Sequence, residues 1–244
     1  MRNLKLTIQY DGTNYHGFQI QPVAPTIQQA LENTLSAITG EAVHVNGCSR
    51  TDARVHAVKY VCSFETAFPI PADRLPIVLN NKLPNDIKAL ECCEVAKEFH
   101  ARFDTVSKTY RYVINTGSNP DVFSRNFEWQ LKRKPDTDKM KEACSHIVGT
   151  HDFKCFMTSG TSVSSTVRTV YSLDVTENGD RIYIYIRADG YLYNMVRIIV
   201  GTLVNVGIGR TAPDDVKTII DGKSRDAAGP TAPPQGLSLF DVEY

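Results

Sequence analysis

Leu4, Leu6, Ile8 and Tyr10 alternate with polar residues, the period of a half-buried strand. The turn residues Asp11-Gly12-Thr13-Asn14 end it. An aromatic loop follows, Tyr15-His16-Gly17-Phe18-Gln19, whose glycine permits close backbone approach. Thr26 and Gln29 then form a capping box after Pro25. Ile27, Ala30, Leu31, Thr34, Leu35 and Ile38 line one face of the helix it starts, and Gly40 closes that helix. Residues 43–45 and 58–64 read as strands on either side of a polar loop. A short helix is expected within 72–82, and 87–95 returns as a strand.

Residues 107–114 alternate again, with Tyr110 and Tyr112 on one face and Arg111 on the other. The segment 120–134 looks irregular and ends in the basic run Lys132-Arg133-Lys134, which reads as a solvated face. An amphipathic helix over 138–148 turns Met140, Ala143, Cys144 and Ile147 inward. Strands over 167–175 and 182–188 flank Asn178-Gly179, the strongest short hairpin signal in the chain. Residues 193–206 form an apolar helix carrying a single charge, Arg197. Pro213 and Gly222 bracket a further helix, and 236–244 closes the chain as a strand.

Strands thus surround amphipathic helices in each half, joined by hairpin-type connections rather than by steady strand–helix alternation. That pattern predicts an α+β (mixed α/β) fold with largely antiparallel sheets. The halves share element types without a clean sequence repeat. We place the boundary so that 1–104 is an N-terminal domain holding the polar loop, and 105–244 is a C-terminal domain holding the Arg197 helix.

A length of 244 residues fits one large domain or two small ones. No apolar run approaches the roughly 18 residues needed to cross a bilayer. The N-terminus enters a strand pattern directly, so no secretory signal is expected. Six cysteines without a Cys-x-x-Cys spacing suggest reduced thiols and a cytoplasmic protein. Basic and acidic residues balance at 27 each, so bulk charge does not announce a nucleic-acid partner. A segregated basic face on a neutral protein would still attract phosphates.

Chemistry concentrates in Gly47-Cys48-Ser49-Arg50-Thr51-Asp52-Ala53-Arg54-Val55-His56-Ala57. Arginines on both sides favour the ionised form of Asp52. An ionised, positioned carboxylate suits a nucleophile or a base. The alternative is that Asp52 only shapes its own loop. Arg197 is costly to bury without a partner; it pairs with a carboxylate elsewhere or snorkels to water. Tyr110 and Tyr112, beside Lys108 and Arg111, could stack bases while neutralising phosphates, or be ordinary strand residues. Cys144, His146, His151 and Cys155 lack the paired spacing of a structural zinc site, so no metal is expected. No phosphate-binding glycine loop, nucleophile elbow or nucleotide-cofactor fingerprint is present.

Arg50-Thr51-Asp52-Ala53-x-Val55-His56-Ala57 resembles the signature of the tRNA pseudouridine synthase A (TruA-type) family, with Arg54 where that family usually has glycine. Tyr10-Asp11-Gly12-Thr13-x-Tyr15-x-Gly17-Phe18 is similar to its opening motif. Phe99-His100-Ala101-Arg102-Phe103 and Lys108-Thr109-Tyr110-Arg111-Tyr112 are similar to its middle motifs. His151-Asp152-Phe153, the run from Arg187 to Arg197, and Gly229-Pro230-Thr231-Ala232-Pro233-Pro234 are similar to its C-terminal ones. The resemblance implies a two-domain pseudouridine synthase fold, a homodimer, and a cofactor-free isomerase. Its substrate would be uridine at positions 38, 39 and 40 in the anticodon stem-loop of tRNA. Asp52 would be the nucleophile, Arg197 its ion-pair partner, and Tyr110 a third catalytic residue that also contacts the substrate. Arg50, Arg54, His56, Arg102 and Lys108 join Tyr110 as candidate substrate-binding residues. The glycine that Arg54 replaces could serve a positive φ or close packing; we expect the second, with the Arg54 side chain along the RNA backbone. Two other readings stand beside this one: a non-catalytic RNA-binding protein of the same fold, and a glycosidic-bond hydrolase, which would want a second carboxylate.

Overall fold

A computed structural model describes residues 1–119, 121–158, 160 and 163–244. In chain order its elements are β1 (Arg2–Tyr10), α1 (Ile27–Thr39), β2 (Asn46–Gly47), β3 (His56–Thr66), α2 (Leu75–Asn80), β4 (Ile87–Val95) and β5 (Ser107–Asn115). There follow β6 (Trp129–Gln130), α3 (Thr137–Ile147), β7 (Gly149–Asp152), β8 (Val167–Asn178), β9 (Arg181–Ala188), α4 (Met195–Gly207), α5 (Asp215–Gly222) and β10 (Leu237–Glu243). The fold is α+β, with helices against largely antiparallel strands. One unit is Met1–Val106 with Ser238–Tyr244; the other is Ser107–Leu237.

In the first unit the strand order is β4-β1-β3-β10, with β2 beside β3. β1 pairs antiparallel with β3 and β4, and β10 runs parallel to β3, Ser238 and Leu239 facing His56 and Ala57. The alternation in β1 holds, since Leu4, Leu6 and Ile8 are fully buried. Two of its polar positions are buried as well, and each finds a partner, as buried polar groups must. The Asn3 amide donates to the Ala96 and Phe99 carbonyls, and the Thr7 hydroxyl donates to Glu91. α1 starts as its capping residue predicts, Thr26 Oγ1 accepting from the Gln29 N–H at 3.3 Å. It ends on Gly40 in the left-handed region, φ 74°.

Residues 43–45 do not form the expected strand; β2 is Asn46–Gly47, opposite Ser63 and Cys62. Side chains of α1 capture the backbone that a strand would have used. Glu32 accepts the Val45 N–H at 2.9 Å, and Gln28 Nε2 donates to the Val45 carbonyl at 3.1 Å.

In the second unit the order is β5-β9-β8-β7, all antiparallel, with β6 parallel to β5. β6 lies inside the segment expected to be irregular, of which Pro120 is outside the described residues. The inner face carries Tyr110, Tyr112 and Ile114 of β5 and Ile182, Ile184 and Ile186 of β9. The apolar α4 is buried along most of its length. The Tyr112 hydroxyl, deep in this core, donates to the Pro233 carbonyl at 2.7 Å. The β8–β9 hairpin turns one residue later than Asn178-Gly179 suggested. Asn178 pairs with Arg181, so Gly179 and Asp180 form the loop, with Gly179 at φ 59°. Glycine at the first central position fits a type II′ turn. The Asp180 carbonyl, accepting both the N–H and the hydroxyl of Thr116, fixes that register.

Asp152 shows how a short motif secures this unit. Its carboxylate accepts the Thr166 hydroxyl at 2.5 Å and the Lys154 N–H at 3.2 Å, and meets Lys223 Nζ at 2.9 Å. Thr166 first, then Lys223, hold its pKa below the ordinary carboxylate value. A depressed carboxylate stabilises the fold at neutral pH, and that contribution is lost as pH falls through the lowered pKa. Asp152→Asn should therefore unfold more easily than the wild type at pH 7, by about 1 kcal/mol for a partly exposed hydrogen-bonded group. Denaturant titrations at a series of pH values should show the two proteins converging below the ordinary carboxylate range of about pH 4.

Candidate active site

Asp52 is half-buried at the first position of a tight turn. The Val55 N–H donates back to the Asp52 carbonyl at 3.1 Å, and Arg54, third in the turn, has φ 66°. That is the geometry of a type II turn, which calls for glycine at its third position. The expectation that glycine's place was a matter of space is thereby corrected: the position needs a positive φ. The Arg54 N–H is engaged at the same time, donating to the Tyr15 carbonyl at 3.0 Å. Arginine, its side chain exposed, adopts this backbone at a cost of about 1–3 kcal/mol.

The loop between β1 and α1 clamps this turn from behind. A β-carbon on Gly17, itself at φ 86°, would lie 2.2 Å from the Thr51 carbonyl oxygen. One on Gly12 would lie 2.0 Å from the Val55 carbonyl oxygen. Only glycine allows backbones so close. The same loop closes the start of α1: the Gly17 and Phe18 carbonyls accept the N–H groups of Ile27 and Gln28 at 3.2 and 2.9 Å. Those are donors that a helix leaves open at its first turn.

Aromatic residues support the turn from the sheet side. Tyr10 and Thr51 share a hydroxyl–hydroxyl bond of 2.8 Å, and the Tyr60 hydroxyl donates to the Ser49 carbonyl. Tyr60 stacks on Phe18 with ring centres 4.3 Å apart. Burial drives the Tyr60 pKa far up, so the hydroxyl keeps its proton for that bond. Tyr15 is tied through its own hydroxyl to Asp86 at 2.6 Å. Its pKa is raised by burial first and by Asp86 second.

In the second unit, Arg197 projects half-buried from the first turn of α4. Its Nε donates to the Ala232 carbonyl at 2.7 Å and its Nη1 to Asn194 Oδ1 at 2.8 Å. Asn194, the helix-capping residue, is itself left-handed at φ 61°, and its amide donates to Thr158 Oγ1 at 3.0 Å. The Ala232 N–H returns a bond to the Arg197 carbonyl at 3.0 Å. The strand of backbone bearing Ala232 lies flat on α4, since a β-carbon on Gly201 would sit 1.8 Å from the Pro230 carbonyl oxygen. Side chain and backbone together thus fix the guanidinium's orientation.

These two constellations belong to sequence that is similar to known proteins from end to end. The profile described as tRNA pseudouridine synthase matches residues 6–104 and 143–244, most of the chain. The chain belongs to the tRNA pseudouridine synthase family. The tRNA pseudouridine synthase A 2 of Clostridium perfringens is 47% identical over 244 residues, covering 100% of both chains. The tRNA pseudouridine synthase A of Thermoanaerobacter sp. is 46% identical with the same full coverage. That of Bacillus subtilis is 45% identical over 99% of this chain and 98% of its own. A solved Cbf5-Nop10-Gar1 complex is matched at a TM-score of only 0.38 and 13% identity, over 83% of this chain and 45% of that one. The assignment therefore rests on the sequence relatives.

Other candidate residues of this synthase fall into two groups. Arg50, Arg54 and Arg102 are exposed. His56, Lys108 and Tyr110 are inside, at 5%, 7% and 5% exposure. His56 Nδ1 accepts the Gly12 N–H at 3.0 Å, which makes it part of the clamp. Asp11 Oδ1 also approaches that nitrogen at 3.1 Å, but it already accepts the Thr13 N–H and hydroxyl, so we assign Nδ1 to Gly12. Tyr110 faces the core, its ring edge-on to Tyr191 at 5.0 Å, so the open stacking pair Tyr110–Tyr112 is not present. Asn194 and Tyr60 were missed in the sequence. The first lies in the motif run from Arg187 to Arg197, and asparagine's tolerance of left-handed backbone was a further signal for it; nothing local distinguished the second.

The turn geometry predicts the sign of one substitution. Arg54→Gly should raise stability by about 0.5–1 kcal/mol, because relief of the left-handed strain outweighs the extra freedom of glycine in the unfolded chain. Chemical denaturation at neutral pH checks it; a loss of stability would mean that the Arg54 side chain holds the turn.

Proposed function

We propose that this chain isomerises uridine to pseudouridine at positions 38, 39 and 40 in the anticodon stem-loop of tRNA, with Asp52 as nucleophile. It does so as a cytoplasmic homodimer without metal or cofactor. The observation that supports this most is the Asp52 turn: a half-exposed carboxylate in the family's signature, braced from both sides, in a chain that matches tRNA pseudouridine synthases over its whole length.

The reaction breaks the N1–C1′ bond of uridine, turns the base and joins C5 to C1′. C5 loses a proton and N1 gains one, so no oxidant, reductant or added atom is required. Asp52 adds to ribose C1′ or to uracil C6 and leaves again when the new bond forms. In this reading Arg197 pairs with that carboxylate and favours its ionised form. Its anchoring by Asn194 and the Ala232 carbonyl suits the role, since a fixed guanidinium needs no reorganisation during reaction. Tyr110, buried to 5% exposure, limits the extruded base to a small contact rather than a full stack. Arg50, Arg54 and Arg102 supply phosphate contacts, while His56 and Lys108 serve from inside.

Unmodified tRNA transcripts incubated with purified protein, then mapped for pseudouridine nucleotide by nucleotide, test the proposal. Wild type should place pseudouridine in the anticodon stem-loop, and Asp52→Ala should place none while binding tRNA with unchanged affinity. Release of free uracil would indicate a hydrolase. Binding by the wild type without product would indicate an RNA-binding protein that performs no chemistry.

A further inference from the structure

The loop from Phe99 to Thr105 presents an exposed aromatic ring. Phe103 is 72% exposed. Two neighbours pack against the ring yet leave most of the residue exposed. The His100 ring lies 4.3 Å from it, tilted by 35°, and the Arg102 guanidinium sits 5.5 Å from its centre.

The loop under this ring is fixed from within. Ala101 is its fully buried plug, donating its N–H to Ser63 Oγ and accepting from the Tyr244 hydroxyl. The Phe103 and Asp104 N–H groups both donate to the His100 carbonyl at 3.1 Å. Asp104 Oδ2 accepts the His100 N–H at 2.8 Å, and the Thr105 hydroxyl closes on the Ala101 carbonyl. His100 Nδ1 accepts the Arg102 N–H at 3.1 Å, which leaves the ring proton of the neutral histidine on Nε2 as a donor. A preorganised group loses little freedom when a partner arrives.

We propose that Phe103, with Arg102 and His100, is a stacking platform for an unpaired base of the tRNA, with the adjoining phosphate on Arg102. This rests on the tRNA substrate proposed above. A flat ring flanked by a guanidinium and an imidazole donor matches the two faces of a nucleotide, one aromatic and one anionic. The alternative occupant, a second copy of the chain, fits less well. A single phenylalanine offers roughly 150–250 Å², against the roughly 800 Å² per partner of a stable interface. The platform also stands apart from the chemistry. Ala101 docks at Ser63, seven residues along β3 from His56 beside the Asp52 turn, which is about 23 Å at 3.3 Å per residue. It would therefore hold tRNA rather than act on the reacting uridine.

Phe103→Leu keeps apolar bulk and removes the flat ring, Phe103→Tyr keeps the ring, and Arg102→Gln removes the cation. Each should be measured with full-length tRNA transcript for affinity at several salt concentrations, single-turnover rate at saturating tRNA, and sedimentation. Phe103→Leu should weaken binding about tenfold, the range expected for one lost base stack. Its saturated rate and sedimentation should match the wild type, and Phe103→Tyr should bind normally. Arg102→Gln should weaken binding and lower the salt dependence by about one ion. Phe103→Leu binding tRNA as the wild type does would overturn the platform, even with pseudouridine formation intact. So would a change in sedimentation with affinity retained, which would make the loop a contact between copies. Wild-type protein that binds tRNA but forms no pseudouridine would instead refute the enzymatic reading, with the platform still decided by the affinities.

Discussion

Two backbone segments far apart in sequence approach each other at Gly17 and Thr51 more closely than any side chain would permit. The Asp52 turn depends on that approach. A turn on a protein surface ordinarily has freedom to shift, and an exposed polar loop carrying a carboxylate would sample many orientations. Here the chain removes the freedom from both sides. Gly12 and Gly17 bring one backbone against the turn, while Tyr10 and Tyr60 hold Thr51 and Ser49 from the strands beneath. The helix α1 takes part as well, because its first N–H groups are satisfied by the same clamp.

The arginine in the second unit is treated in the same way by different means. Asn194 in a left-handed conformation, the Ala232 carbonyl and the close packing of Pro230 on Gly201 fix the direction of the guanidinium. Each charged group is thus oriented within its own unit. Preorganised dipoles and charges are the usual source of large rate effects, because nothing has to be rearranged as the transition state forms.

Much of this was legible in the sequence. Alternation located β1 and β5, the Asn178-Gly179 signal located the β8–β9 hairpin, helical periodicity located α1 and α3, an apolar run located α4, and the flanking arginines with the family signature singled out Asp52. The aromatic loop at Gly17 already suggested close backbone approach. What escaped depends on partners far along the chain. Residues 43–45 have strand composition, yet Glu32 and Gln28 of α1 claim the Val45 backbone. Alternation in β5 separates Tyr110 and Tyr112 from Arg111, but period alone does not say which face the core takes, and it takes the tyrosines. Arg54 argued against a positive φ by its residue type, and only the Asp52-to-Val55 turn reveals the need for one.

In the proposed reaction the clamp at Gly17 holds Asp52 in position for chemistry. Gly17→Ala tests it directly, by single-turnover pseudouridine formation at saturating tRNA in protein shown by its melting transition to be folded. The added methyl must displace the Thr51 carbonyl and with it the turn, so the rate should fall by about 100-fold, the scale of a misplacement near 1 Å, while tRNA affinity holds. A folded Gly17→Ala protein that forms pseudouridine at the wild-type rate would contradict the account.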